Sequence, residues 1–276
     1  MNKILSRKKF SENVNEYVIS APDVARRADA GQFVILRVDE EGERIPFTIC
    51  DFDREAGTVT ILVQTVGYST MKLATLKEGD NIADFAGPLG KATDLDEYEN
   101  ILLVGGGIGS AVIYPQIKKL SSKGKKADVV TGARNESLLI YRDEFKTYAR
   151  NLYEMTDDGS AGEKGFVTDK IRNLLDGGEK YDCIFAVGPL PMMKAVAELT
   201  RGYGIKTIVS MNTVMVDGTG MCGSCRLTVG NEIRYACVDG PEFDGHLVDF
   251  DEAIARNGFY RDEERSHVCR LTGGVR

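Results

Sequence analysis

The sequence predicts a β-barrel, then a doubly wound α/β domain, then a small C-terminal module. Three observations carry this. Short apolar runs punctuated by glycine fill the first part of the chain. From about Glu99, strands alternate with helices. Three of the six cysteines, Cys222, Cys225 and Cys237, crowd into one stretch near the end. The resulting division is 1–98, 99–208 and 209–276, and a chain of 276 residues is long enough for two domains and a further small module.

In the first part, segments Asn13–Ser20, Gln32–Val38, Pro46–Asp51 and Thr58–Val66 are rich in Val, Ile, Phe and Thr. Val59, Ile61, Val63 and Thr65 alternate at period two, and Gly31, Gly42, Gly57, Gly67 and Gly79 punctuate the runs. Short strands at this spacing read as a small barrel. In the middle part, Asn100–Val104 is a compact apolar strand, followed by a helix with Ile113, Ile117 and Leu120 on one face. Ala127–Thr131 reads as a strand, Val167–Leu175 as a helix, Tyr181–Val187 as a buried strand, Pro189–Tyr203 as a helix stopped by Gly204, and Lys206–Ser210 as a last strand. This alternation implies a parallel, doubly wound sheet. In the last part, Leu227–Val229 and Ile233–Ala236 flank Gly230-Asn231, a hairpin signal.

Composition narrows the function classes. Hydrophobic residues at 42% and charged residues at 28% are those of a globular chain, which excludes disordered and fibrous classes. A net charge of −7 argues against nucleic acid or an anionic membrane as the main partner. No apolar run approaches a membrane span. The opening MNKILSRKKF has no apolar segment of a secretory signal behind it, so a cytoplasmic location is expected.

Gly105-Gly106-Gly107-Ile108-Gly109 lies after a strand and before a helix, where backbone N–H groups and the helix terminus can meet a pyrophosphate. Ser110 stands where a third fingerprint glycine belongs, and Thr131-Gly132-Ala133-Arg134 replaces the usual acidic residue. A tight turn with no ligand is the alternative. A second turn, Gly188-Pro189-Leu190-Pro191, ends another strand of the same sheet, and the two should converge on one crevice. Met192 and Met193 read as helix core.

The cysteine spacing is Asp217-x4-Cys222-x2-Cys225-x11-Cys237. It follows the plant-type [2Fe–2S] arrangement with Asp217 at the first ligand position. Gly218, Gly220 and Gly223 would let the loop turn N–H groups toward sulfur. Zinc held by three thiolates and a carboxylate is the competing reading, and a turn-capping role is the alternative for Asp217. Cys50, Cys183 and Cys269 lie outside any ligand spacing. His246 reads as a hydrogen-bonding loop residue, and neither it nor His267 is assigned to catalysis.

The ordered segments Ala30-Gly31-Gln32-Phe33, Arg44-Ile45-Pro46-Phe47-Thr48-Ile49, Gly87-Pro88-Leu89-Gly90, Gly105–Gly109 and Ala236-Cys237-Val238-Asp239-Gly240-Pro241-Glu242-Phe243 resemble those of the ferredoxin–NADP reductase superfamily. Within it, the chain is similar to the electron-transfer subunits of dihydroorotate dehydrogenase. It is more similar to the small (alpha) subunits of NADH-dependent ferredoxin:NADP oxidoreductases, also described as sulfide dehydrogenase subunits. The resemblance implies FAD in the barrel, with Arg44, Pro46, Phe47 and Thr48 as the flavin motif and Thr48 near flavin N5. Phe47 replaces the family's tyrosine, and Arg44 stands one residue early. Gly67, Ser69 and Thr70 match a segment that contacts the flavin pyrophosphate. Gly106, Gly107, Gly109, Gly188 and Pro189 would hold NAD(H). Arg134 would meet the 2′-phosphate of NADP(H), which Glu136 opposes. Asp217, Cys222, Cys225 and Cys237 would hold the [2Fe–2S] cluster. The implied function is that of an electron-transfer flavoprotein subunit in which no side chain acts as a catalytic acid or base. The implied partner is a larger subunit with flavin and [4Fe–4S] clusters, in a heterodimer that reaches ferredoxin indirectly by electron bifurcation. The rivals are a dihydroorotate dehydrogenase electron-transfer subunit, whose family places cysteine at the Asp217 position, and a non-catalytic redox adaptor.

Overall fold

The computed structural model describes residues 2–259 and residue 266. Cys269 and His267 lie outside the described residues. The N-terminal unit comprises β1 (Asn2–Ser11), β2 (Val14–Ser20), α1 (Pro22–Ala25), β3 (Phe33–Arg37), β4 (Ile45–Thr48), β5 (Asp51–Asp53), β6 (Thr58–Gln64), α2 (Tyr68–Leu73), β7 (Asn81–Ile82) and β8 (Asp84–Leu89). They form two antiparallel sheets, ordered β5-β6-β2-β1-β7 and β4-β3-β8. Between these sheets lies a core that includes Ile4, Tyr17, Ile19, Val34, Leu36, Ile49, Ile61 and Leu73. The register Tyr17↔Ile61 and Ile19↔Val59 places the alternating apolar residues of β2 and β6 inward.

The chain is already a strand at Asn2, ahead of the start expected at Asn13. Only Ile4 of β1 is fully buried, and Arg7, Lys8 and Lys9 face water. A strand so polar carries no hydrophobic signature, and its position comes from long antiparallel pairing with β2.

The middle unit comprises β9 (Ile101–Gly106), α3 (Ser110–Ser122), β10 (Asp128–Ala133), α4 (Arg142–Tyr148), β11 (Leu152–Thr156), β12 (Glu163–Lys164), α5 (Val167–Asp176), β13 (Cys183–Val187), α6 (Leu190–Tyr203) and β14 (Lys206–Ser210). The C-terminal region adds β15 (Arg226–Val229), β16 (Glu232–Tyr235), β17 (Glu242–Asp244) and α7 (Phe250–Asn257). One seven-stranded sheet runs β12-β11-β10-β9-β13-β14-β17, parallel except for β17. The chain moves outward from β9 through β10 and β11, then crosses to β13 on the other side of β9. This reversal opens a crevice at the C-terminal ends of β9 and β13.

Because β17 is an edge strand of the middle sheet, the cysteine-bearing region is stitched into that unit. One apolar core joins Phe33 and Ile35 of the first unit, Leu102 and Val104 of the second, and Leu227, Ala236 and Phe250 of the third. Inside the sheet, Asp128 is 1% exposed and accepts from Arg150 (2.9 and 2.8 Å), Asn151 (2.9 Å) and Tyr181 (2.8 Å). Burial works to raise its pKa, but these donors outweigh that and hold it below the usual carboxylate value. No helix among the described residues is long and apolar enough to cross a membrane.

Candidate functional site

The two glycine turns meet. Val187 pairs with Gly105 at the ends of β13 and β9. A Cβ on Gly109 would lie 2.5 Å from the Val187 carbonyl oxygen, and one on Gly188 would lie 3.0 Å from Gly106 Cα. The turns therefore pack backbone against backbone, which only glycine allows. Gly107 has φ +56° and open space on its Cβ side, so its backbone can approach a ligand. The helices α3 and α6 both begin here and bring the positive ends of their peptide dipoles to the crevice.

Met193 is buried in the core, as expected, whereas Met192 is only partly buried and lies against both turns. A Cβ on Gly106 would meet its sulfur at 2.3 Å. Arg134 follows β10 and is exposed. Glu136 is held by Arg142 at 2.8 Å.

The flavin motif lies on β4, where Pro46, Phe47 and Thr48 are all partly buried. Phe47 pairs with Val34, and Thr48 pairs with Phe33. Arg44 is exposed and turns toward the cysteine loop: its Nε donates to the Val216 carbonyl at 3.0 Å and its Nη2 to the Asp217 carbonyl at 3.4 Å. Gly67 precedes α2. The Thr70 hydroxyl accepts from the N–H groups of Val66 and Gly67, both at 3.0 Å, and Ser69 donates to Glu43.

The cysteine loop pairs its donors two and two. Cys225 and Cys237 are buried with their sulfurs 3.2 Å apart. Burial and the neighbouring Cys225 push the Cys237 thiol up to about 12. Asp217, partly buried, and the exposed Cys222 form the second pair. The Asp217 carboxylate accepts from the N–H groups of Thr219 and Cys222, each at 2.7 Å. The Thr219 contact is the largest cause of its lowered pKa, and the Cys222 N–H and thiol add to it. Burial works to raise the Cys222 thiol, but the hydroxyl and N–H of Ser224 outweigh that and bring it below its ordinary value. Gly218, Gly220 and Gly223 all have positive φ and make this tight loop possible.

Among the described residues no three metal-binding side chains converge on a single point. A rhombic [2Fe–2S] unit takes two ligands on each iron, and the two-and-two donor set fits it better than one tetrahedral zinc. The loop also abuts the three-stranded sheet β4-β3-β8. A Cβ on Gly218 would meet Leu89 of β8 at 2.6 Å and Ile35 of β3 at 3.1 Å.

The remaining cysteines among the described residues stand apart. Cys50 and Cys183 are buried, and burial pushes each thiol up to about 12. His246 is a loop hydrogen-bonder, its ring 3.1 Å from the Thr200 hydroxyl and its N–H donating to Asp244 at 2.9 Å.

Sequence reasoning missed Glu242, whose carboxyl accepts from Thr93 at 2.8 Å where all three units meet. It also missed Thr213, whose buried hydroxyl has no partner among the described residues. Neither residue carries a spacing that would mark it.

Residues 212–249 match the iron-sulfur cluster binding domain of dihydroorotate dehydrogenase B, and residues 103–198 match the oxidoreductase NAD-binding domain. An uncharacterised protein from the adh 3′ region of Clostridium beijerinckii is 50% identical over 272 residues, covering 96% of this chain and 92% of its own. The homolog of the dihydroorotate dehydrogenase B (NAD(+)) electron transfer subunit from Thermotoga maritima is 46% identical, covering 96% and 93%. A chain of an NADH-dependent reduced ferredoxin–NADP oxidoreductase, studied for flavin-based electron bifurcation, superposes with a TM-score of 0.93 at 45% identity. That match covers 99% of this chain and 98% of the other.

Proposed function

The chain belongs to the family of dihydroorotate dehydrogenase B electron transfer subunits and their homologues, and on that premise we propose which of its residues hold which cofactor. It is an electron-transfer flavoprotein subunit and an NAD(P)H-dependent oxidoreductase that carries FAD and a [2Fe–2S] cluster. FAD, when bound, would supply two-electron hydride acceptance from NADH and single-electron donation toward the cluster.

The protein's own part is placement. Gly106, Gly107, Gly109, Gly188 and Pro189 bring backbone close to the dinucleotide at the crevice. Pro46, Phe47 and Thr48 present β4 to the flavin ring, and Gly67, Ser69 and Thr70 lie toward its pyrophosphate. Asp217 and Cys222 hold one iron, and Cys225 and Cys237 hold the other. Arg44 ties the Val216–Asp217 backbone to the start of β4, which carries the proposed flavin motif.

The observation that carries the reading is the packing of the cysteine loop onto β3 and β8. It brings the proposed cluster ligands against β3, the strand that pairs with the proposed flavin motif on β4, which supports a short path between the two cofactors. The subunit works with a larger partner. We read the partner as one with flavin and [4Fe–4S] clusters, reached from the cluster and leading on to ferredoxin; the 89% exposure of Met221, an apolar side chain next to the exposed Cys222, supports docking here. Asp217 favours the ferredoxin:NADP oxidoreductase type over the dihydroorotate dehydrogenase type, which by resemblance carries cysteine there.

The test is anaerobic addition of NADH to the purified, FAD-loaded chain. Flavin bleaching is expected, faster with NADH than with NADPH. Unchanged flavin absorbance with either nucleotide would leave the redox-adaptor reading.

A further inference from the structure

Between the cysteine loop and α7 lies a cavity of about 210 Å³ whose wall includes Thr213, Cys222, Ser224, Arg226 and Arg256. Thr213 is 8% exposed, and among the described residues its hydroxyl is the one buried side-chain oxygen or nitrogen with no hydrogen-bond partner. A buried hydroxyl without a partner loses its hydration and gains nothing in return, so such groups in native proteins call for an explanation.

The cavity wall narrows the candidates. Arg226 and Arg256 carry only donors and point them at the carbonyls of Gly223 (3.4 Å) and Ser224 (3.3 Å). Asn257 directs its amide N–H to the Asn212 carbonyl at 3.1 Å. Ala253 and Val214 offer no polar side-chain atom. The wall is therefore rich in donors and positive charge. The atom in it that becomes an anionic acceptor on cluster assembly is the Cys222 sulfur.

We propose that the Thr213 hydroxyl donates a hydrogen bond to the iron–sulfur cluster at its Cys222 end and thereby raises the cluster's reduction potential. The inference rests on the [2Fe–2S] reading above. Reduction adds negative charge to the cluster and its sulfurs, and a donor aimed at them stabilises the reduced form more than the oxidised form. The neighbouring Arg226 and Arg256 act in the same direction. Thr213 is a positioning and tuning residue; it is not a ligand.

The experiment is an EPR-monitored redox titration of the cluster-loaded chain and three variants, with iron and acid-labile sulfide measured on each. Thr213→Val removes the donor at nearly constant shape. It should keep full iron and sulfide and shift the midpoint to a more negative potential, with altered g-values. Thr213→Ala should shift it the same way, which separates loss of the hydroxyl from any effect of the added methyl. Thr213→Ser keeps the donor and should titrate near the wild-type protein. Val and Ala variants with full iron and wild-type midpoints overturn the role of Thr213 while leaving the cluster in place. Absence of iron and sulfide from the wild-type chain instead removes the reading on which the inference rests.

Discussion

The Asp217 carboxylate shapes its loop by accepting two N–H groups at 2.7 Å, and it stands at the proposed first ligand position of the cluster. These duties separate under substitution. A carboxylate is a harder donor than a thiolate and gives iron less electron density. Asp217→Cys should keep a [2Fe–2S] cluster but lower its potential and change its EPR g-values. Asp217→Ala removes both the donor and the loop contacts and should make the cluster labile, measured as faster bleaching under a chelator. Unchanged EPR, potential and lifetime in the alanine variant would reduce Asp217 to a turn residue. Cys50 and Cys183, each buried in apolar surroundings, should tolerate serine with full iron content, whereas serine at Cys225 or Cys237 should abolish it.

At the scale of elements, the crevice depends on two turns that pass within contact of each other. Gly109→Ala drives a Cβ to 2.5 Å from the Val187 carbonyl, and rigid backbone cannot yield there as a side-chain end can. NADH-driven flavin reduction should fall by at least about tenfold, ~1.4 kcal/mol of barrier, while FAD and iron contents persist. A stopped-flow rate equal to that of the unaltered protein would contradict this. Asp128→Ala leaves Arg150 and Tyr181 without their shared acceptor and should cost roughly 2–4 kcal/mol of stability by chemical denaturation. These elements also mark what the sequence discloses. The strand–turn–helix around Gly105–Gly109 was legible because its apolar run, glycines and Ile113–Ile117–Leu120 face are contiguous. The strands β1 and β17 were not. The first has seven polar residues in ten, and the second has three residues whose pairing with β14 is fixed by tertiary packing. The cysteine loop was legible from spacing, but its contact with β3 and β8, and the turn of Arg44 toward it, arise from parts of the chain far apart in sequence.

For the molecule as a whole, Glu242 marks the place where the three units join. Thr93 donates to its carboxyl at 2.8 Å, and Gln116 of α3 donates to Thr93 at 2.6 Å. Lys119 reaches the Thr93 carbonyl at 3.1 Å and Asp29 at 3.0 Å. Burial raises the Glu242 pKa to about 8, against smaller lowering effects of Thr93 and Lys119. A raised carboxyl contributes stability that is complete below its unfolded value near 4.3 and is lost as pH rises through about 8. Thermal stability should therefore fall across that window, and Glu242→Gln, which keeps a neutral group there, should flatten the fall. An identical pH slope in the variant would remove Glu242 from the account. The central claim is that this one chain carries electrons from nicotinamide through flavin to the cluster. It is tested most directly by freezing the FAD- and cluster-loaded chain after anaerobic mixing with NADH and recording EPR. The account predicts a reduced [2Fe–2S] signal that accompanies flavin bleaching and disappears in Cys225→Ser. A bleached flavin beside a cluster that stays oxidised with NADH, yet is reduced by dithionite, would contradict it.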